Sequence, residues 1–193
     1  MITGIVLAAG ISSRFGAAKQ LFEVAGKPLV QHAVDAAAGG GVDEIVVVLG
    51  HEAGRIEPVL RLPPNARAVV NPDYEEGQST SLSTGLAAAD PASDAAVVLL
   101  ADQPGIAARH VRLLVEAFRT NPAPILRLRF RDGPGPALLS RAVWPEASRL
   151  EGDTGARALI AARPDRVREV PVDEDLPPDL DTPGDAAALR ANP

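Results

Sequence analysis

Residues 7–21 read LAAGISSRFGAAKQL, a small-residue loop with hydroxyls and full positive charges directly after an apolar run. Ala8, Ala9 and Gly10 are small enough for close backbone approach to a ligand. Ser12, Ser13, Arg14 and Lys19 can all donate to phosphate oxygens. The chemistry indicated is the holding of phosphate, although neither familiar pattern is present. Five residues separate Gly10 from Gly16 and Lys19 comes three positions after the second glycine, so the loop is not G-x-x-x-x-G-K-[ST]. The dinucleotide pattern G-x-G-x-x-G is also absent. A generic turn of small residues would leave the paired charges unexplained.

Carboxylates supply the complementary chemistry. Asp102, in LLADQP, follows a strongly apolar segment; it suits either Mg²⁺ ligation through oxygen or the capping of a following helix. Asp181, in DLDTP, is either a second oxygen ligand or, with Thr182 ahead of Pro183, the cap of a last helix. Asn71 precedes PDYEEGQSTSLSTG, where Gly77 permits close approach and Gln78, Ser79 and Ser81 can read a base or ribose. The alternative is a helix entry capped by Ser79 or Ser81. In LEGDTGARALI, Gly152, Asp153 and Gly155 suit an anion at a helix start, or Thr154 simply caps that helix.

Other residues carry less. His32, His51 and His110 have no ligand spacing and read as structural or surface residues. Arg127, Arg129 and Arg131 alternate, so in a strand they share one face, which suits either substrate-phosphate binding or, as the favoured reading, a solvated edge that repels other edges. The basic residues comprise 17 arginines and two lysines, Lys19 and Lys27. Where arginine serves everywhere else, a retained lysine marks either a need for a compact, mobile ammonium, the favoured reading, or the chance clustering of a rare residue.

Positioning these groups requires a sheet. Ile5–Leu7, Glu44–Leu49, Ala68–Val70 and Ala95–Leu100 are apolar runs without polar alternation, predicted as strands buried on both faces. Between them, Leu29–Ala38, His51–Leu60, Ser81–Ala89 and Ala107–Thr120 have helical spacing. The order predicts an α/β fold of βαβ units with a mostly parallel sheet, whose ligand crevice lies at the carboxyl ends of the strands. The last third reads as a strand over Pro124–Arg131, a turn at Gly133–Pro136, helices over Arg141–Leu150 and Thr154–Arg163, a strand over Val167–Val172 and a terminal helix over Gly184–Arg190.

Composition excludes several classes. With 193 residues and no linker, one domain is expected. The absence of cysteine removes disulfides, thiolate sites and a cysteine nucleophile. A net charge of −6 and an aromatic content of 3% argue against nucleic acid as a partner. No apolar run is long enough for a membrane span and no secretory signal opens the chain, so a soluble cytoplasmic protein is expected.

Taken together, LAAGISSRFGAAKQL, NPDYEEGQSTSLSTGL, LLADQP, GPGPALLS, LEGDTGARALI and DLDTPGD, in that order, resemble the nucleotidyltransferases that complete the molybdenum cofactor, the group containing molybdenum cofactor cytidylyltransferase. The resemblance implies a single-domain, Rossmann-like three-layer sandwich, with about residues 1–120 binding nucleotide and about 121–193 the acceptor. It also implies Mg²⁺-dependent transfer of CMP from CTP to the terminal phosphate of molybdopterin, with release of pyrophosphate. Ala8, Ala9 and Gly10 would then meet the nucleotide, Arg14 and Lys19 its phosphates, and Asn71, Gln78 and Ser81 the base and ribose. Asp102 and Asp181 would hold Mg²⁺, and the segments around Gly135 and Gly152–Arg157 would face the pterin. An ionised substrate phosphate is the nucleophile, so no catalytic base is required. Two departures bear on substrate identity: Gly135 stands before Pro136 where the group often has histidine, and Gly184 stands where an acid is usual. The LAAG form resembles the cytidine-selecting group; guanosine-selecting relatives usually read LAGG. The competing readings are use of GTP, another small phosphate acceptor, a cofactor carrier serving a molybdenum hydroxylase, and a nicotinamide-dependent oxidoreductase.

Overall fold

The apolar runs assemble as expected into one sheet in a computed structural model, which describes residues 1–12, 15–180, 182, 184 and 185. Ser13, Arg14, Asp181 and most of the expected terminal helix lie outside the described residues. The strands are β1 (Ile2–Ala8), β2 (Glu23–Val24), β3 (Lys27–Pro28), β4 (Glu44–Leu49), β5 (Ala66–Val70), β6 (Ala95–Leu100), β7 (Ile125–Arg129), β8 (Pro134–Ser140) and β9 (Val167–Pro171). The helices are α1 (Leu29–Gly39), α2 (Ala53–Ile56), α3 (Gln78–Ala88), α4 (Ala108–Thr120), α5 (Trp144–Ala147) and α6 (Ala156–Ala162).

Seven strands run in the order β5-β4-β1-β6-β8-β7-β9, while β2 and β3 form a small separate hairpin. Every pairing in the large sheet is parallel except the two made by β8. Alternating residues of β1 feed two cores. Val6 and Ala8 pack with Val30, Val34 and Leu114 from α1 and α4. Ile5 and Leu7 pack with Leu82, Leu86, Trp144 and Leu159 from α3, α5 and α6. The result is a three-layer α/β sandwich. At Gly85 a Cβ would stand 2.5 Å from Ile5 Cγ2, so α3 lies close against β1. Among the described residues, no helix is long and apolar enough to cross a membrane.

Three expectations need correction. Gly133–Pro136 is not only a turn: β8 begins at Pro134 and runs antiparallel between β6 and β7. Its ALLS core is too short a run to stand out after GPGP. Consequently Arg127, Arg129 and Arg131 are not on an edge: Arg127 and Arg129 pair with Glu169 of β9, and Arg131 with Asp175 at 3.0 Å. Finally, β5 is an edge strand, with Val70 54% exposed, not a strand buried on both faces.

His110 is structural, as expected, and fully buried in the first turn of α4. Its Nδ1 accepts from the Ala107 amide at 3.0 Å, its ring meets Phe130 edge-on, and Glu174 Oε2 lies 3.6 Å from Nε2. Burial, followed by the charge of Arg109, holds its pKa below the ordinary histidine value against the pull of Glu174. The unfolded chain therefore binds more protons below about pH 6.5. This contribution to stability is complete above that pH and is lost as pH falls through the folded value. The melting temperature should drop on acidification from about pH 7.5 to about pH 5.5, and His110→Asn should flatten that slope.

Candidate active site

The sheet's order reverses direction at β1, whose chain continues to β4 and β5 on one side while β6 lies on the other. At the carboxyl ends of β1 and β6 opens a cleft of about 900 Å³, a size suited to a small-molecule ligand. Leu7–Ser12, Lys19 and Gln20 form one wall, and Leu100–Asp102 continue it. Tyr74–Gln78, Ser81 and Asp153–Gly155 form the other, with Arg157 and Asp179 also lining.

Lys19 sits in a single 3-10 turn after the loop, and its Nζ donates to Asp102 Oδ2 at 2.7 Å and to the Leu180 carbonyl at 3.4 Å. Asp102 is not a helix cap, because α4 starts at Ala108 with Ala107 before it. Its other oxygen, Oδ1, is buried without a hydrogen-bond partner. An unsatisfied anionic oxygen of this kind is a fitting ligand for a hard cation such as Mg²⁺. Among the described residues, no three His, Cys, Asp or Glu side chains cluster to hold a metal. Any ion there would take its remaining ligands from substrate oxygens, water or groups outside the described residues. The described lining carries Glu75, Glu76, Asp102, Asp153 and Asp179 against Lys19 and Arg157, so a polyphosphate fits only alongside cations.

The 102–103 and 179–180 segments are tied together. The Leu180 amide donates to the Asp102 carbonyl at 2.9 Å, and Gln103 Nε2 donates to Asp179 Oδ1 at 2.8 Å. Thr182 caps its turn as expected: its amide donates to Asp185 Oδ2 at 2.7 Å, and its Oγ1 accepts from the Asp185 amide at 3.3 Å.

The opposite wall depends on glycine. Gly77 has φ 116° and ψ 177°, and a Cβ there would stand 2.3 Å from the Gly152 carbonyl carbon. Only glycine accepts that backbone at a cost below about 1–3 kcal/mol, before the clash is counted. Gly77→Ala should therefore lower the melting temperature by about 4 °C or more, measured by calorimetry. Gly77 precedes α3 with no side-chain cap, so neither Ser79 nor Ser81 serves as one. Thr154 does not cap α6 either; its hydroxyl donates to the Glu151 carbonyl.

The structure brings Ala8, Ala9, Gly10, Lys19, Gln78, Ser81 and Asp102 to one cleft. Asn71 is not among its described lining residues. It is 1% exposed, donating to Thr80 and Ser81 hydroxyls at 2.9 and 3.0 Å and accepting from the Asp73 amide. Gly135 is also elsewhere, with a Cβ position 2.4 Å from Phe130 Cε2. Lys27 lies apart from the cleft on the surface, paired with Asp35 at 2.5 Å, so its retention does not mark the site. Burial alone would raise the Asp35 pKa; hydrogen bonds from Lys27 and Gln31 and the Lys27 charge bring it below the usual value. Gln20 went unnoticed in the sequence. The only available signal was a polar residue directly after Lys19 within the loop motif.

Comparison with known proteins gives concordant matches. Residues 4–167 match the MobA-like NTP transferase domain. A nicotine blue oxidoreductase of Paenarthrobacter nicotinovorans is 33% identical over 190 residues, spanning 94% of this chain and 92% of that protein. The purine catabolism protein PucB of Bacillus subtilis is 30% identical over 166 residues, spanning 82% and 80%. The structure of Rv0371c from Mycobacterium tuberculosis in complex with manganese superposes with a TM-score of 0.86 at 32% identity, covering 100% of this chain and 99% of that one.

Proposed function

This chain belongs to the MobA-like NTP transferase family, and on that premise we propose that its cleft transfers CMP from CTP to the terminal phosphate of molybdopterin, releasing pyrophosphate. The observation that carries the reading is the Lys19–Asp102 pair, with Asp102 Oδ1 left unpartnered, at the carboxyl ends of β1 and β6. A nucleotidyltransferase needs that juxtaposition of a mobile cation and a spare carboxylate oxygen. A simple carrier does not.

In this proposal the backbone at Ala8–Gly10 meets the nucleotide, and Arg14 and Lys19 hold its phosphates. Gln78 and Ser81 face the base and ribose, while Asn71 acts through Ser81 by fixing its hydroxyl. Asp102, with Asp181, would hold Mg²⁺, which supplies charge neutralisation on the phosphate oxygens when bound. The manganese bound by the Rv0371c relative supports divalent-ion dependence. The Gly152–Arg157 segment would receive the acceptor, within an acceptor part spanning about residues 121–193. An ionised acceptor phosphate attacks in line, and the chain contributes alignment and fixed positive charge rather than a base. Work in the cytoplasm and delivery of the product to a molybdenum hydroxylase belong to the same proposal.

The test is pyrophosphate release with Mg²⁺, comparing CTP and GTP with and without molybdopterin. Release that requires molybdopterin and favours CTP is expected; preference for GTP would overturn the choice of base. A second reading follows from the relative named an oxidoreductase. It requires nicotinamide nucleotide binding, against the absence of a G-x-G-x-x-G loop. Calorimetry separates the two: the transferase reading expects heat of binding from CTP and none from NADPH.

A further inference from the structure

Within the described part of the opening loop, Gln20 is a polar side chain with almost no surface, 3% exposed. Its Nε2 donates to the Ala8 carbonyl at 3.1 Å and to the Gly10 carbonyl at 2.8 Å. Its Oε1 accepts from Ser12 Oγ at 3.3 Å, and Ser12 Oγ accepts in turn from the Lys19 amide at 3.3 Å. Both amide hydrogens and the amide oxygen are therefore spent on the loop that Gln20 itself follows. Among the described residues there are no cis peptide bonds, so each carbonyl turned toward Gln20 directs the next N–H, those of Ala9 and Ile11, the opposite way. Ser12 holds a φ of 57°, which a non-glycine residue keeps where its surroundings impose it.

We propose that Gln20 is a positioning residue for the nucleotide, one that clamps the Ala8–Ser12 backbone and seats Lys19 without itself being a reacting group. The proposal rests on the transferase reading for its ligand, but the clamp is a property of the free protein. An amide suits the task because it alone among side chains of this length pairs two donors with an acceptor. Methionine matches its length but donates nothing, and glutamate would set an anionic oxygen against two carbonyls.

Gln20→Met is the principal variant, with Gln20→Glu as a second in case the first folds poorly. Hydrogen exchange of the Ala9–Ser12 amides in ligand-free protein should accelerate by about tenfold or more. CTP should bind about tenfold or more weakly by calorimetry, and its KM should rise similarly while the molybdopterin KM stays close to wild type. A folded variant whose loop exchange and CTP affinity both stay within about twofold of wild type would overturn the proposal. Faster exchange with unchanged CTP affinity would overturn it too, reducing Gln20 to a structural brace. Wild-type protein that binds neither CTP nor GTP would defeat the transferase reading instead, while the exchange result would still report on the clamp.

Discussion

Asp102→Ala is expected to lower turnover by about 10²–10³-fold, on the order of 3 kcal/mol or more of barrier. The loss has two physical sources. Asp102 Oδ1 is buried and unpartnered beside the cleft, so its removal deletes the described oxygen best placed for a cation. Asp102 Oδ2 also holds Lys19 Nζ at 2.7 Å, so the same change frees that ammonium from its seat. Asp102→Asn keeps the shape of the side chain and removes its charge, and it should lose nearly as much. Single-turnover kinetics with saturating CTP should show the deficit in the chemical step, with circular dichroism matching wild type. Full biological activity in a folded Asp102→Asn protein would favour a cofactor carrier over an enzyme.

Lys19 should show the next largest effect. Lys19→Met removes the positive charge from the middle of an acidic lining, and about 10²-fold or more in kcat/KM for CTP should go with it. Lys19→Arg tests the reason for lysine. Nζ reaches both Asp102 and the Leu180 carbonyl, and a planar fork cannot pivot from that geometry to a phosphate as a compact ammonium can. About tenfold loss is expected for Lys19→Arg. If Lys19→Arg were kinetically silent, the argument from lysine retention would fail at its remaining position, since Lys27 already lies on the surface with Asp35.

The strand-and-helix alternation of the first 120 residues was legible because β1 and β4 are wholly buried and β6 nearly so, leaving continuous apolar runs. Edge position was not legible, since Ala68–Val70 is as apolar as a central strand and only the sheet order leaves Val70 exposed. β8 was obscured because its first residues, PGP, carry turn signals while their position in the sheet is set by partners distant in sequence. At the site, the residues nearest strand ends were legible from chemistry alone: Lys19 and Asp102 meet across 83 positions of sequence. Asn71 and Gln20 were not, because the destination of a buried amide depends on backbone groups that no spacing rule identifies.

The most direct measurement is transfer of label from CTP carrying radioactive α-phosphate, followed in the molybdopterin product for wild type and Asp102→Asn side by side. The account predicts label in the pterin product, matched by pyrophosphate, with wild type and near-background transfer with the variant. Folded wild-type protein that transfers no label to competent molybdopterin, or a variant that transfers it equally well, would contradict the assignment of this cleft to nucleotidyl transfer.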